Sequence, residues 1–245
     1  DHRDLHLSLR RQRQMCIRDR QTDYIDLYQL HWPDRPMSLF GGSINYQHVE
    51  GDTNSIESIL GALSELIKIG KIRNIGLSNE TPWGTMEFIH QSKDKDLPKM
   101  QSIQNAYNLL NRIFEFGGSE IAFRESVGLL AYSPLAQGYL TGKYQNGNLP
   151  KGSRKELFDR LQRYEGVGSE EAIESYLNIA KKYNVDPSQL ANQFVTTRPF
   201  VTSNIIGATS MEQLKLAVTS IEVNLTEEIE NDIEKAFQKH GNVAS

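Results

Sequence analysis

The sequence predicts an α/β fold made of repeated strand-helix units around a parallel sheet, and three observations carry that expectation. Short runs of β-branched and apolar residues alternate with amphipathic segments of about 10 to 15 residues. Two long loops follow strand C-termini, where α/β barrels build their sites. No Gly-x-Gly-x-x-Gly turn is present to mark a doubly wound dinucleotide-binding sheet. Strands are expected at Ile25 to Leu30, Asn74 to Leu77, Ser102 to Gln104, Leu129 to Tyr132 and Asn204 to Ile206.

Taken in order, the strand Tyr24-Ile25-Asp26-Leu27-Tyr28-Gln29 runs into Leu30-His31-Trp32-Pro33, and a long loop from Asp34 to Asn54 follows. The segment Ser55 to Ile69 puts Ile56, Ile59, Leu60, Leu63, Leu66 and Ile67 at helical spacing and stops at Gly70, as helices commonly do. Thr81-Pro82 opens the next helix with a capping residue and a proline in the first turn. Ser169 with Glu171, and Asp186-Pro187, are expected to open two more. A last helix is expected from Thr226 to about Gln238, acidic in its first turn. The second long loop, Thr141 to Gly168, is rich in Gly, Lys and Arg. Five such units do not close a barrel, which needs about eight, so two open sheet edges and exposed apolar faces are expected, with aggregation or partial order as the consequence.

The 245 residues include 38% apolar residues, enough for a sizeable core. A net charge of -4 gives no electrostatic reason to expect nucleic acid or an anionic membrane as partner, which leaves a small-molecule ligand. A single cysteine allows no intrachain disulfide, and no apolar run approaches the roughly 20 residues that span a bilayer. With no signal-peptide pattern at the start, cytoplasmic residence is the default. The six histidines show no ligand spacing and no Cys-x-x-Cys occurs, so no metal site is expected.

His31 stands at the C-terminal end of the first strand, where a barrel presents polar groups to its site, although a lone histidine is more often structural. Asp23 and Asp26 read as framework residues. Ser78-Asn79 and Gln104-Asn105 close the next two strands; such residues can orient a ligand amide, or simply bond backbone in turns.

The run Tyr24 to Pro33, with Lys71-Ile72-Arg73-Asn74-Ile75-Gly76-Leu77-Ser78-Asn79, resembles the aldo-keto reductases. A second match is Tyr132-Ser133-Pro134-Leu135-Ala136-Gln137-Gly138-Tyr139-Leu140-Thr141-Gly142-Lys143-Tyr144, and a third is Ile205-Ile206-Gly207-Ala208-Thr209-Ser210-Met211-Glu212-Gln213-Leu214. Gln101 to Glu115 and Pro150 to Arg160 are similar to the bacterial Tas-type branch of that family.

The resemblance implies a (β/α)8 TIM barrel that is incomplete here, with the first strands missing, because the His-bearing strand is the family's fourth. Residues 21–245 then form the C-terminal part of the reductase domain, and residues 1–20 a helix remnant with a non-native insertion over Gln12 to Arg20. The implied activity is hydride transfer between NADPH and an aldehyde or ketone, His31 orienting the carbonyl. The family's proton-donating tyrosine, lysine and aspartate fall on the missing strands, so the chain alone is expected to be nearly inactive.

For the cofactor, the resemblance assigns the nicotinamide carboxamide to Ser78, Asn79 and Gln104, and its ring face to Tyr132. Ser133, Pro134, Leu135 and Gly138 would wrap the pyrophosphate, and Lys143 and Arg154 would hold phosphate, favouring NADP(H) over NAD. Gly207 and Thr209 would present amides to a phosphate, and Gln213 would contact the adenosine. Leu216 and Ala217 stand where the family has Glu and Asn, which weakens the adenine side. A second implied reading is a redox-sensing subunit that binds NADPH without turnover, similar to potassium-channel β subunits.

Overall fold

The computed structural model describes residues 22–37, 51–158 and 162–244; the Gln12 to Arg20 block and much of the first long loop lie outside the described residues. The described chain falls into two compact units, one of residues 22–37, 51–104 and 120–128, the other of 105–119, 129–158 and 162–244. Among the described residues, no helix is long and apolar enough to cross a membrane.

In the first unit β1 (Ile25–Leu30) pairs in parallel with β2 (Ile72–Ser78), Ile25 opposite Ile72 and Leu30 opposite Leu77. β2 pairs in parallel with β3 (Met100–Ala106), Ser78 opposite Gln104, with a register shift between Ile75 and Leu77. The helix α1 (Ile56–Lys68) starts where the spacing predicts: Ser55 Oγ caps it by accepting from Ser58 N at 3.1 Å. Its stripe of Ile59, Leu60, Leu63 and Leu66 is buried. Together with Ile72, Ile75, Leu77, Ile89, Met100 and Ile103 it makes a dry core, each such side chain contributing roughly 1.5–3 kcal/mol. α2 (Pro82–Asp94) is capped by Thr81, with proline in its first turn. β2 and β3 extend further than the apolar runs alone suggest, because backbone pairing continues through polar residues such as Arg73 and Gln101.

In the second unit β4 (Gly128–Tyr132) pairs in parallel with β5 (Val201–Ile205). The last strand therefore begins three residues before the expected Asn204. Polar, exposed Thr202 and Ser203 hide it from a search for apolar runs, yet Val201 pairs with Leu129 and Ser203 with Leu130, the register shifting at Thr202 between them. A short helix α3 (Gly118–Glu125), most of whose residues belong to the first unit, and a five-residue helix α4 (Arg154–Phe158) of this unit were not legible in the pattern. The loop Thr141 to Gly168 is broken into short helical turns at Gln145–Gly147, Arg154–Phe158 and Gln162–Tyr164.

Helices α5 (Ser169–Lys182), α6 (Pro187–Thr196), α7 (Met211–Thr219) and α8 (Glu227–His240) complete the unit. Asp186 and Thr226 cap α6 and α8 as expected. Ser169 does not cap α5: Gly168 holds that position, and Ser169 Oγ donates instead to Val243 O at 3.4 Å.

The second core centres on Tyr107, fully buried, stacked on Phe194 at 5.8 Å and edge-on to Phe200 at 5.2 Å. Its hydroxyl donates to Glu115 at 2.6 Å, and Arg112 closes the network through Glu115 at 2.8 Å and Glu234 at 3.0 Å. Burial, then the Glu115 carboxylate, holds the Tyr107 phenol far above its ordinary range. Burial works against the charge on Arg112, but the two carboxylates outweigh it and its guanidinium is held more firmly protonated than usual. By contrast β1 is only half-buried and α7 buries no residue. Met211, Leu214, Val218 and Ile221 stay exposed along one side of α7 and the turn after it.

Candidate functional site

In the first unit the polar residues singled out from the sequence gather at strand C-termini. His31 follows β1, is exposed, and sets its ring 5.1 Å from that of Trp32. Its backbone oxygen accepts from Asn79 Nδ2 at 2.9 Å. Ser78 Oγ donates to Gln104 O at 2.8 Å, and Asn79 N donates to the same oxygen at 3.0 Å. Asn79 adopts φ +56, a left-handed conformation asparagine tolerates better than most residues. Ser78 and Asn79 are both buried. Their amide and hydroxyl therefore tie the ends of β1, β2 and β3 together, so the structural role of these residues is real whether or not they also orient a ligand.

A charged pair missed in the sequence stands beside them. Arg35 donates through Nη1 and Nη2 to the two oxygens of Glu80, and through Nη2 to Thr81 Oγ1 at 3.0 Å. The Glu80 side chain is 2% exposed. The two residues lie 45 positions apart, and no local pattern links them.

In the second unit the turn after β4 is the unusual feature. Ser133, Ala136, Gln137 and Gly138 all take positive φ, at 60°, 47°, 58° and 104°. Each non-glycine residue so placed costs about 1–3 kcal/mol and persists only where its surroundings fix it. The fixing bonds are Ala136 N to Ser133 O at 2.9 Å, Gly138 N to Leu135 O at 2.8 Å, and Asn108 Nδ2 to Ser133 O at 2.9 Å. Pro134 is buried under the turn and Leu135 half-buried. A Cβ on Gly138 would lie 2.7 Å from Lys143 Cε and 2.9 Å from its Nζ, so glycine is what lets the ammonium approach the backbone. Lys143 Nζ also sits 5.1 Å from the Tyr144 ring centroid.

Tyr132 is half-buried and its hydroxyl accepts from Arg163 Nη1 at 3.5 Å. Lys155, rather than the exposed Arg154, is the basic residue drawn inward: it pairs with Glu165, which also accepts from Tyr139 OH. The Lys155 and Tyr139 bonds hold the Glu165 carboxyl below its usual range. Burial, reinforced by Glu165, pushes the Tyr139 phenol up.

Gly207 and Thr209 are exposed ahead of α7. Ser210 Oγ caps that helix, and Gln213 Oε1 accepts from Thr209 N at 2.9 Å and Thr209 Oγ1 at 3.1 Å. The Ser-x-x-Gln spacing is a capping-box signal, but Gln213 reaches past the capping Ser210 to Thr209. Among the described residues, no three His, Cys, Asp or Glu side chains come together as a metal-ligand set.

A turn with successive left-handed residues, an ammonium pressed on a glycine, and a capped helix start are features that receive anions. The Aldo/keto reductase family model matches residues 7–237. The chain belongs to the aldo/keto reductase family. Among relatives in the family, the protein Tas of Escherichia coli K12 is 46% identical over 219 residues, 89% of this chain and 63% of its own length. An aldo-keto reductase of Babesia bovis is 39% identical over 233 residues, covering 89% of this chain and 82% of its own. The chain thus spans less than two thirds of the Tas proteins it matches. A solved glycerol dehydrogenase of Gluconobacter oxydans superposes with a TM-score of 0.72 over 97% of this chain and 65% of that one, at 23% identity. That likeness gives the fold: the five parallel strands are those of an incomplete (β/α)8 barrel.

Proposed function

We propose that this chain carries the cofactor-binding part of an NADPH-dependent carbonyl reductase, with an aldehyde or ketone as substrate. The observation that carries the proposal is the turn 133–138, held in left-handed backbone with Gly138 packed on Lys143, in a chain of the aldo/keto reductase family. The cationic side chains of Lys143 and Arg154 suit a dinucleotide phosphate, and Gly138 lets the Lys143 ammonium lie close to the turn. Bound NADPH would supply the hydride.

The chain's own groups have separate tasks in this account. Lys143 and Arg154 bind phosphate, and the extra charge of a 2′-phosphate favours NADPH over NADH. Tyr132 offers an aromatic face to the nicotinamide ring. Ser78, Asn79 and Gln104 bear on its carboxamide, Gly207 and Thr209 on a phosphate, and Gln213 on the adenosine side. His31, exposed after β1, orients the substrate carbonyl by a hydrogen bond to its oxygen, where negative charge develops. We further propose that proton donation depends on groups outside this set, so that residues 1–245 alone turn over slowly.

The test is NADPH oxidation by the chain with benzaldehyde and with cyclohexanone, alongside direct NADPH binding. Binding with slow, carbonyl-dependent oxidation that falls further in His31→Ala supports the proposal. Absence of NADPH binding would end it, and tight binding with no carbonyl-dependent oxidation would favour the redox-sensing role instead.

A further inference from the structure

The pair Arg35–Glu80 has no part in the cofactor contacts above, yet it is a closely built polar feature of the first unit. Glu80 is almost fully enclosed and Arg35 retains 19% side-chain exposure. Besides the two bonds from Arg35, Glu80 Oε1 accepts from Thr81 N at 2.6 Å. The carboxylate therefore sits at the start of α2, where the helix dipole favours negative charge. Gly84 completes the fit: a Cβ there would stand 2.3 Å from Glu80 Oε1 and 2.6 Å from Arg35 Nη2. The Trp83 ring lies against the guanidinium, 4.9 Å from its centre.

A buried ion pair is weak evidence for stability, since apolar packing of the same volume commonly stabilises as much, and its best-attested use is to fix one geometry. What this one fixes is the segment after β1. Three residues, Trp32, Pro33 and Asp34, separate His31 from Arg35, and the segment is tied at both points to the end of β2. One tie is Asn79 Nδ2 to His31 O at 2.9 Å, and the other is the fork of Arg35 on Glu80, the residue after Asn79.

We propose that Arg35 and Glu80 are positioning residues that hold His31 in register with the end of β2. The proposal rests on the functional reading of His31 given above, but its structural half can be read without turnover. The planar guanidinium gives two parallel bonds whose direction is set, which lysine cannot reproduce.

The experiment uses the 245-residue chain, its Glu80→Gln and Arg35→Lys variants, and His31→Asn to assign the His31 ring signal. Ring-nitrogen NMR of His31 and exchange of the 31–36 amides, those of His31, Trp32, Asp34 and Arg35, are measured, together with kcat and KM for benzaldehyde and Kd for NADPH. In Glu80→Gln we expect the His31 signal to shift or broaden and exchange over 31–36 to rise at least about tenfold. We expect kcat to fall about 10- to 100-fold with NADPH affinity kept. Arg35→Lys, which retains the charge and spares the fold, should give the same changes in smaller measure. Unchanged His31 signals and exchange in both variants would overturn the proposal. If these signals move while the unsubstituted chain oxidises no NADPH, the positioning stands and the reductase reading is what fails. If they move and kcat does not, the pair orders the segment without acting through His31, and the proposal is refuted.

Discussion

Gly138→Ala is the most informative single change in the second unit. At φ +104 an alanine is strained by about 1–2 kcal/mol. Its methyl would also meet Lys143 Cε at 2.7 Å. Because the far end of a lysine can move, steric relief comes by displacing the ammonium rather than the turn. Lys143 is partly exposed, so its bond to a phosphate belongs at the low end of charge-assisted values, about 1.5 kcal/mol or roughly tenfold in Kd. Gly138→Ala should then weaken NADPH binding by about as much as Lys143→Met, and the double variant should be little weaker than either, with a coupling of about 1 kcal/mol. NADPH fluorescence titrations give the three Kd values, and urea denaturation gives the stability cost separately. Losses that add to within about 0.5 kcal/mol would refute the idea that the glycine acts by admitting Lys143.

Other perturbations test other parts. Arg112→Met removes the partner of Glu115, whose side chain is 22% exposed, and should cost about 3 kcal/mol in urea denaturation; Glu234→Gln, at a 47% exposed site, should cost under about 1 kcal/mol. Glu165 has its folded-state carboxyl below the ordinary value of 4.5, so its contribution is present above that pH and is lost as pH falls through the lowered folded value. Proteolysis within 141–168 should therefore be steady from about pH 8 to 5 and accelerate below the ordinary glutamate range. Glu165→Gln should bring the fast cleavage to neutral pH. Val218→Glu, at a 55% exposed position of α7, should leave stability within about 0.5 kcal/mol and lower binding of a hydrophobic dye, which checks that the apolar side of α7 is open to solvent.

Much of this architecture is written locally. Ile25–Leu30 is a short run in which Ile25, Leu27, Tyr28 and Leu30 outnumber Asp26 and Gln29, and Ser55, Thr81, Asp186 and Thr226 signal helix starts through their own side chains. What failed to show depends on distant partners or on backbone. β5 is polar through its middle, Thr202 to Asn204, and is defined by pairing with β4. Gly168 replaced Ser169 as a cap because Ser169 is held by Val243, from the other end of the unit. His31, Ser78, Asn79 and Gln104 were picked out by position at strand ends, but Arg35 and Glu80 were not, since neither departs from an ordinary solvated charge until the fold encloses them. Likewise Arg154 drew attention in the second long loop, whereas Lys155 is the residue that Glu165 engages.

The most direct test of the proposed cofactor role is a pair of binding titrations of the 245-residue chain, with NADPH and with NADH, at the same ionic strength. The account predicts that NADPH binds at least about tenfold tighter, because its additional phosphate meets Lys143 and Arg154. Equal affinity for the two would contradict the assignment of those residues, and binding of neither would contradict the cofactor site itself.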